Sequence, residues 1–189
     1  GVGLTSNGEY MDLEVHSLTS CEDVKQRLNA ASVPGIEITS VKILPDKAGN
    51  VMASVAAAGY TVAFREGRGP HFDLGSAVDR FLAKDEILIT KETKKGSREI
   101  NLKEGIYEMM VVENTGLYLL VDASSAGNIK PIQVVEALFA ENDEALMENA
   151  LMVNREETYL RSDAGELLPL DAIGYDSEEA YKIASGDAE

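Results

Sequence analysis

Tyr60-Thr-Val-Ala-Phe-Arg65, followed after a turn by Leu74-Gly-Ser-Ala-Val-Asp-Arg-Phe-Leu82, is the stretch on which the fold of this 189-residue chain is decided. The first piece alternates in the manner of a half-buried strand. In the second, Leu74, Ala77, Val78, Phe81 and Leu82 fall at the i, i+3, i+4, i+7 and i+8 positions of an amphipathic helix. Gly67-Arg-Gly-Pro70 turns the chain between them. Downstream, Ile87 to Thr93 and Ser97 to Leu102 read as two strands around Lys94-Lys-Gly96. Tyr107 to Glu113 and Leu117 to Ala123 read as two more around Asn114-Thr-Gly116. Pro131 fits the first turn of a helix whose buried stripe is Ile132, Val135, Leu138 and Phe139. A last strand lies within Leu151 to Leu160. The order predicts an α+β fold with a ferredoxin-like βαββαβ unit, interrupted by an inserted hairpin, over residues 60–160. Leu74, Val78, Phe81, Val135, Leu138 and Phe139 are expected to pack against one sheet.

Upstream, Tyr10-Met-Asp-Leu-Glu-Val15 alternates with period two, so Met11, Leu13 and Val15 are expected to face inward from a strand. Thr19-Ser-Cys-Glu22 has capping-box spacing before a helix carrying Val24, Leu28 and Ala31. Ile36, Ile38, Val41 and Ile43 form a β-branched run that stops at Pro45. Strand, helix and strand suggest a partial second βαβ unit, and with the Ala/Gly-rich connector it fills residues 1–59. Residues 161–189 read as an acidic, partly ordered tail that docks Leu167, Leu168, Leu170 and Ile173 and leaves the end solvated. The chain starts at Gly1, which suggests trimming from something longer.

The net charge of −16 is uneven. From Glu136 onward there are fifteen acidic and three basic residues, whereas residues 1–135 carry eighteen and fourteen. A bulk charge of this sign opposes non-specific binding to nucleic acid or anionic membranes, and leaves room for a local basic site. No apolar run is long enough to span a bilayer, and no signal peptide is legible. A lone cysteine, Cys21, makes neither an internal disulfide nor a metal cluster and suits a reducing compartment, so a cytoplasmic location is expected; a reactive thiol at the start of a helix is the alternative reading of it.

The motifs that carry chemistry are missing. His16 and His71 stand apart, without a second ligand at metal spacing. Phosphate-loop, zinc-protease and nucleophile-elbow patterns do not occur. One cysteine cannot hold an iron–sulfur cluster. Neither cofactor nor metal is expected, and the chain reads as no enzyme on its own. Gly67-Arg-Gly69 reads as a plain tight turn, with a phosphate cradle of backbone amides as the alternative, and Tyr60, Phe64 and Tyr118 read as core, with a stacking surface for bases as the alternative. What stands out is Lys91-Glu-Thr-Lys-Lys-Gly-Ser-Arg98, which is +3 within an acidic chain. Lys91, Lys94, Lys95 and Arg98 on a protruding hairpin suit a nucleic-acid backbone. Read blandly, they make a solubilising turn that also discourages edge pairing.

Asn7-Gly-Glu-Tyr-Met-Asp-Leu-Glu-Val15, Thr93-Lys-Lys-Gly-Ser-Arg-Glu-Ile100 and Gly127-Asn-Ile-Lys-Pro131, in that order, resemble a bacterial radical-SAM-linked family of unknown function, with the likeness running from about Gly3 to about Asn142. Members of that family open on a segment with Ser-His-Leu-Asp and Gly-Phe-Asn-Pro motifs, and this chain starts after where that segment would be. The resemblance implies an accessory domain that serves a radical SAM enzyme and acts on RNA. It transfers no catalytic residue. Because Lys94, Lys95, Arg98, Asn128 and Lys130 lie inside the matching motifs, they join Lys91 as the expected contact residues. The expected function is therefore a non-catalytic substrate-recognition module, RNA-binding and partnered by a radical SAM protein. Two alternatives stand beside it: an enzyme whose site needs the N-terminal segment, and a scaffold that binds only protein.

Overall fold

The computed structural model describes residues 3–46, 48–93, 96–113 and 116–185, and the side chains of 91–93 are outside it. In chain order the elements are β1 (Leu4–Ser6), α1 (Cys21–Ala31), α2 (Val51–Ser54), β2 (Ala57–Phe64), α3 (Leu74–Leu82), β3 (Leu88–Thr93), β4 (Gly96–Asn101), β5 (Ile106–Val112), β6 (Gly116–Asp122), α4 (Pro131–Ala140), β7 (Leu151–Arg161), β8 (Leu167–Pro169) and α5 (Glu178–Ser185). The fold is α+β. Two compact units divide the chain. One combines Gly1–Glu9 with Ala53–Pro169, and the other Tyr10–Met52 with Leu170–Glu189. Both are discontinuous in sequence, whereas the sequence reading cuts the chain linearly after residues 59 and 160.

The first unit is built on a mixed sheet in the order β1-β7-β2-β6-β5, with β8 also on β7. The four strands β7-β2-β6-β5 are antiparallel throughout, which is the strand order of a βαββαβ unit and compatible with the ferredoxin-like expectation. Among the described residues β3 and β4 pair only with each other, as the expected inserted hairpin. Alternation decides which face is dry. Val62, Leu117, Leu119 and Val121 are fully buried beside Phe81 of α3 and Val134, Val135 and Leu138 of α4. All six side chains expected at the helix–sheet interface are buried. The stripe on α4 is rotated by about one position from the expectation, since Val134 is buried and Ile132 is 38% exposed. Asp73 starts α3 by accepting a hydrogen bond from the Ser76 amide at 2.9 Å. Tyr60 and Phe64 belong to this core, whereas Tyr118 does not.

In the second unit Ser20, one residue later than the expected Thr19, caps α1 by accepting from the Asp23 amide at 3.0 Å. Among the described residues the two strands expected on either side of α1 are not formed, so there is no partial βαβ unit. Met11, Leu13 and Val15 are 65%, 50% and 48% exposed instead of facing inward. A period-two pattern states which side chains a strand would bury, but a strand also needs a neighbouring backbone, and among the described residues Tyr10–Val15 has none in a ladder. Ile36 to Ile43 is held differently. The Asn29 side chain bonds the Ile38 amide at 2.8 Å and its carbonyl at 2.9 Å, taking a partner strand's place, and only Ile43 forms a bridge, with Tyr175. Lys42 reaches Asp171 and Asp176 at 3.5 and 3.7 Å. The acidic tail is more regular than expected. Ser177 caps α5 by accepting from the Ala180 amide, and Glu178 and Glu179 sit favourably in its first turn, where the helix dipole is positive.

Candidate functional site

The sequence-expected contact residues fall on two separate segments. Lys91 lies opposite Arg98 in the β3–β4 register, and Arg98 is exposed. Lys94 and Lys95 lie outside the described residues, as does the Lys91 side chain. Asn128 and Lys130 are exposed on the connection from β6 to α4. Much of that motif is explained by a turn. Asn128 adopts the left-handed φ of 47° that asparagine tolerates. A Cβ on Gly127 would stand 2.5 Å from the Asp122 carboxyl carbon, and the Ile129 amide donates to the Asp122 carbonyl at 2.8 Å. Pro131 then starts α4.

Other candidates are occupied or quenched. The turn at Gly67–His71 does not present a free cradle at its end, because the Glu144 carboxylate accepts the His71 amide at 3.1 Å and approaches its ring. Burial, then the carboxylates of Asp176 and Glu178, push the Cys21 thiol up, the direction opposite to that of a reactive cysteine. Among the described residues no group of three or more His, Cys, Asp or Glu side chains is placed to hold a metal, and no helix is long and apolar enough to cross a membrane.

The best-built polar surface lies on the sheet face turned away from α3 and α4. Thr61 pairs with Asn154 across β2 and β7, and Thr5 of β1 pairs with Asn154 in turn, so these side chains share that face. Glu156 is the hub. Its Oε1 accepts from the Thr61 hydroxyl at 2.6 Å and from Asn154 Nδ2 at 2.8 Å, and its Oε2 accepts from Asn7 Nδ2 at 3.2 Å. Thr5 donates to Asn154 Oδ1 at 2.7 Å, which fixes the amide that serves Glu156. Beside this network stand three tyrosines. Tyr118 lies across Gly59, where a Cβ would meet its hydroxyl at 2.8 Å and two ring carbons at 3.5 Å. Tyr159, two residues short of the end of β7, hydrogen-bonds Tyr118. Tyr107 is the extra residue of a bulge between Ile106 and Glu108, and the Arg161 guanidinium sits 5.5 Å from its ring centre. Thr61, Met110, Val112, Glu113 and Tyr118 line a shallow hollow on the same face.

Two groups here are shifted in opposite directions. Hydrogen bonds from Thr61 and then Asn154 and Asn7 hold the Glu156 carboxyl below the usual carboxylate range. Burial first, then Tyr159, pushes the Tyr118 phenol up to about 12. A depressed folded pKa means that the Glu156 contribution to stability is present above the ordinary carboxyl value and is lost as pH falls through the folded one. In an NMR titration the Glu156 carboxyl carbon is expected to turn below an exposed glutamate, and Thr61→Val to raise that midpoint. A wild-type midpoint at the ordinary value would dissolve the network.

Little in the sequence points to this face. Thr61, Asn154 and Glu156 are the outward members of strands, and Thr5 and Asn7 precede the segment that reads as the first strand. The available signal is weak, because Asn154 and Glu156 lie within the unbroken polar run Asn154-Arg-Glu-Glu-Thr158 of β7, which has no alternation to mark its outward members. A family model described as "Uncharacterized protein conserved in bacteria (DUF2344)" matches residues 1–131, which span β1 to the start of α4. No curated protein and no solved structure gives a significant match. With well over half of its length matched, the chain belongs to the bacterial DUF2344 family.

Proposed function

We propose that this chain is a non-catalytic recognition module that holds RNA for a partner enzyme of the radical SAM class in the cytoplasm. The observation that carries the reading is the set of three tyrosines, Tyr107, Tyr118 and Tyr159, on strands β5, β6 and β7 of the antiparallel sheet, with Tyr118 on the face turned away from α3 and α4. Unstacked bases are held by aromatic rings on such a surface, and stacking tolerates an acidic protein because the bases are uncharged. The segment with Lys91, Lys94, Lys95 and Arg98 supplies cations for phosphates from the β3–β4 hairpin, which among the described residues pairs with no other strand. Recognition is favoured over catalysis because Glu156 and Tyr118 are both moved away from neutrality, so neither is poised to exchange a proton near pH 7. The radical SAM partner rests on the sequence resemblance. Exposed Met11, Leu13, Val33 and Ile36 in the second unit offer such a partner apolar surface.

The test is RNA binding at two or more salt concentrations. Replacing Lys91, Lys94, Lys95 and Arg98 with Ser is expected to weaken binding and to flatten the log–log salt slope by about 0.7 for each single-strand phosphate no longer neutralised. Stability should move by no more than about 0.5 kcal/mol, as is usual for surface substitutions. Wild-type protein with no salt-dependent RNA affinity would end the RNA reading and leave the protein-only scaffold in first place.

A further inference from the structure

We infer that Glu156 reads the edge of a base stacked on the tyrosine face, so that the module prefers bases carrying an exocyclic amino group over uracil. The inference rests on the RNA reading above and adds to it a chemical selectivity.

Three observations lead to it. First, the carboxylate is fixed before any ligand arrives. Thr61, Asn154 and Asn7 all donate to it, and Thr5 fixes Asn154. Second, it is incompletely used. A carboxylate has about four acceptor positions. Two on Oε1 are taken at 2.6 and 2.8 Å, while Oε2 holds a single, longer bond of 3.2 Å. All three donors are neutral, and none of the ion pairs among the described residues includes Glu156, so its charge remains to attract a donor. Third, the carboxylate lies next to the hollow beside Tyr118, although it does not line it. Thr61, which bonds Glu156, also lines the hollow with Tyr118, and Glu156 is close enough to Tyr118 to raise its phenol.

An acceptor-only group next to a ring selects a planar ligand with a donor on its rim. The amino group of cytosine or adenine supplies one, and a carboxylate is the natural partner of the cytosine amino group. Uracil has carbonyl oxygens at the corresponding positions. Its one ring N–H lies between two of them, so a carboxylate that approaches it meets lone pairs on both sides.

The experiment is fluorescence anisotropy with short homopolymers of cytidylate, adenylate and uridylate at low salt, on the wild-type chain, Glu156→Gln and Glu156→Asp. Wild type is expected to bind cytidylate and adenylate about fivefold more tightly than uridylate, the low end of what one specific base contact gives. Glu156→Gln places an amide donor where the free acceptor was, so the preference should vanish or invert while uridylate affinity is kept. Glu156→Asp, which keeps the charge and withdraws it by one carbon, should lose the preference as well. Urea unfolding of each variant establishes that it is folded. Equal wild-type affinity for the three polymers, or a preference that survives in a folded Glu156→Gln, overturns this inference and leaves the RNA reading standing. Failure of the wild type to bind any polymer overturns both.

Discussion

Phe139→Ala is expected to lower the stability of the first unit by about 3–5 kcal/mol, the cost of deleting a large aromatic from a packed core. Phe139 is 2% exposed and sits edge-on to Phe72 at 5.2 Å and tilted to Phe64 at 5.7 Å, so it joins α4 to β2 and to the turn before α3. Three elements would share one cavity. Domains of this size have a total stability of about 5–15 kcal/mol, so the substitution removes a large part of it. The measurement is urea unfolding followed by circular dichroism, with the midpoint falling and the slope unchanged. Ile132→Ala on the same helix, where the side chain is 38% exposed, serves as the comparison and should cost much less. Equal costs at the two positions would mean that the helix is rotated from the orientation described.

The second large effect is on binding. Tyr118→Ala is expected to reduce affinity for single-stranded RNA by about 1–3 kcal/mol, the usual loss when one stacked base loses its ring. Tyr118→Phe keeps the ring and should keep most of the affinity. Gly59→Ala is the more searching variant, since it leaves Tyr118 in the sequence but puts a methyl 2.8 Å from where its oxygen now lies. The end of a tyrosine can move, so the fold should survive with the ring lifted and its bond to Tyr159 broken. A fall in affinity for Gly59→Ala with little loss of stability would show that the position of the ring matters as well as its presence. If Tyr118→Ala binds as well as wild type, the tyrosine face is not where RNA sits.

Sequence and structure part company in ways that have identifiable causes. α3 and α4 were legible because each buries one stripe against a sheet, and the spacing of Leu74, Ala77, Val78 and Phe81 suits no secondary structure but a helix. Tyr10–Val15 misleads because alternation records the faces of a strand and says nothing about the presence of a partner. β1 is three residues long, too short for any period, and is set by its parallel register with residues 153–155. Ala57-Ala-Gly59 is a poor strand by propensity, yet it is buried at the centre of the sheet, where β6 and β7 both bond to it and Tyr118 requires a residue without a side chain. The candidate site was almost illegible. Its hub, Glu156, draws on donors at positions 7, 61 and 154, and no local motif can record a convergence of that kind.

That convergence bears on how the protein is made. Thr5 and Asn154 touch although 149 residues separate them, and Thr61 waits 95 residues for Glu156. At ordinary rates of synthesis, roughly 5–20 residues per second, the second interval amounts to about 5–19 s. Throughout it β2 lacks the neighbour that will cover one edge, and an apolar strand with an open edge is a template for mispairing. A nascent chain can therefore acquire much of its helical core well before it has a complete sheet, and it gains the Glu156 network only after β7 has emerged. Slowing translation just ahead of residue 151 would lengthen that exposed state, and its cost should be read as aggregation in the cell with the stability of the finished protein unchanged.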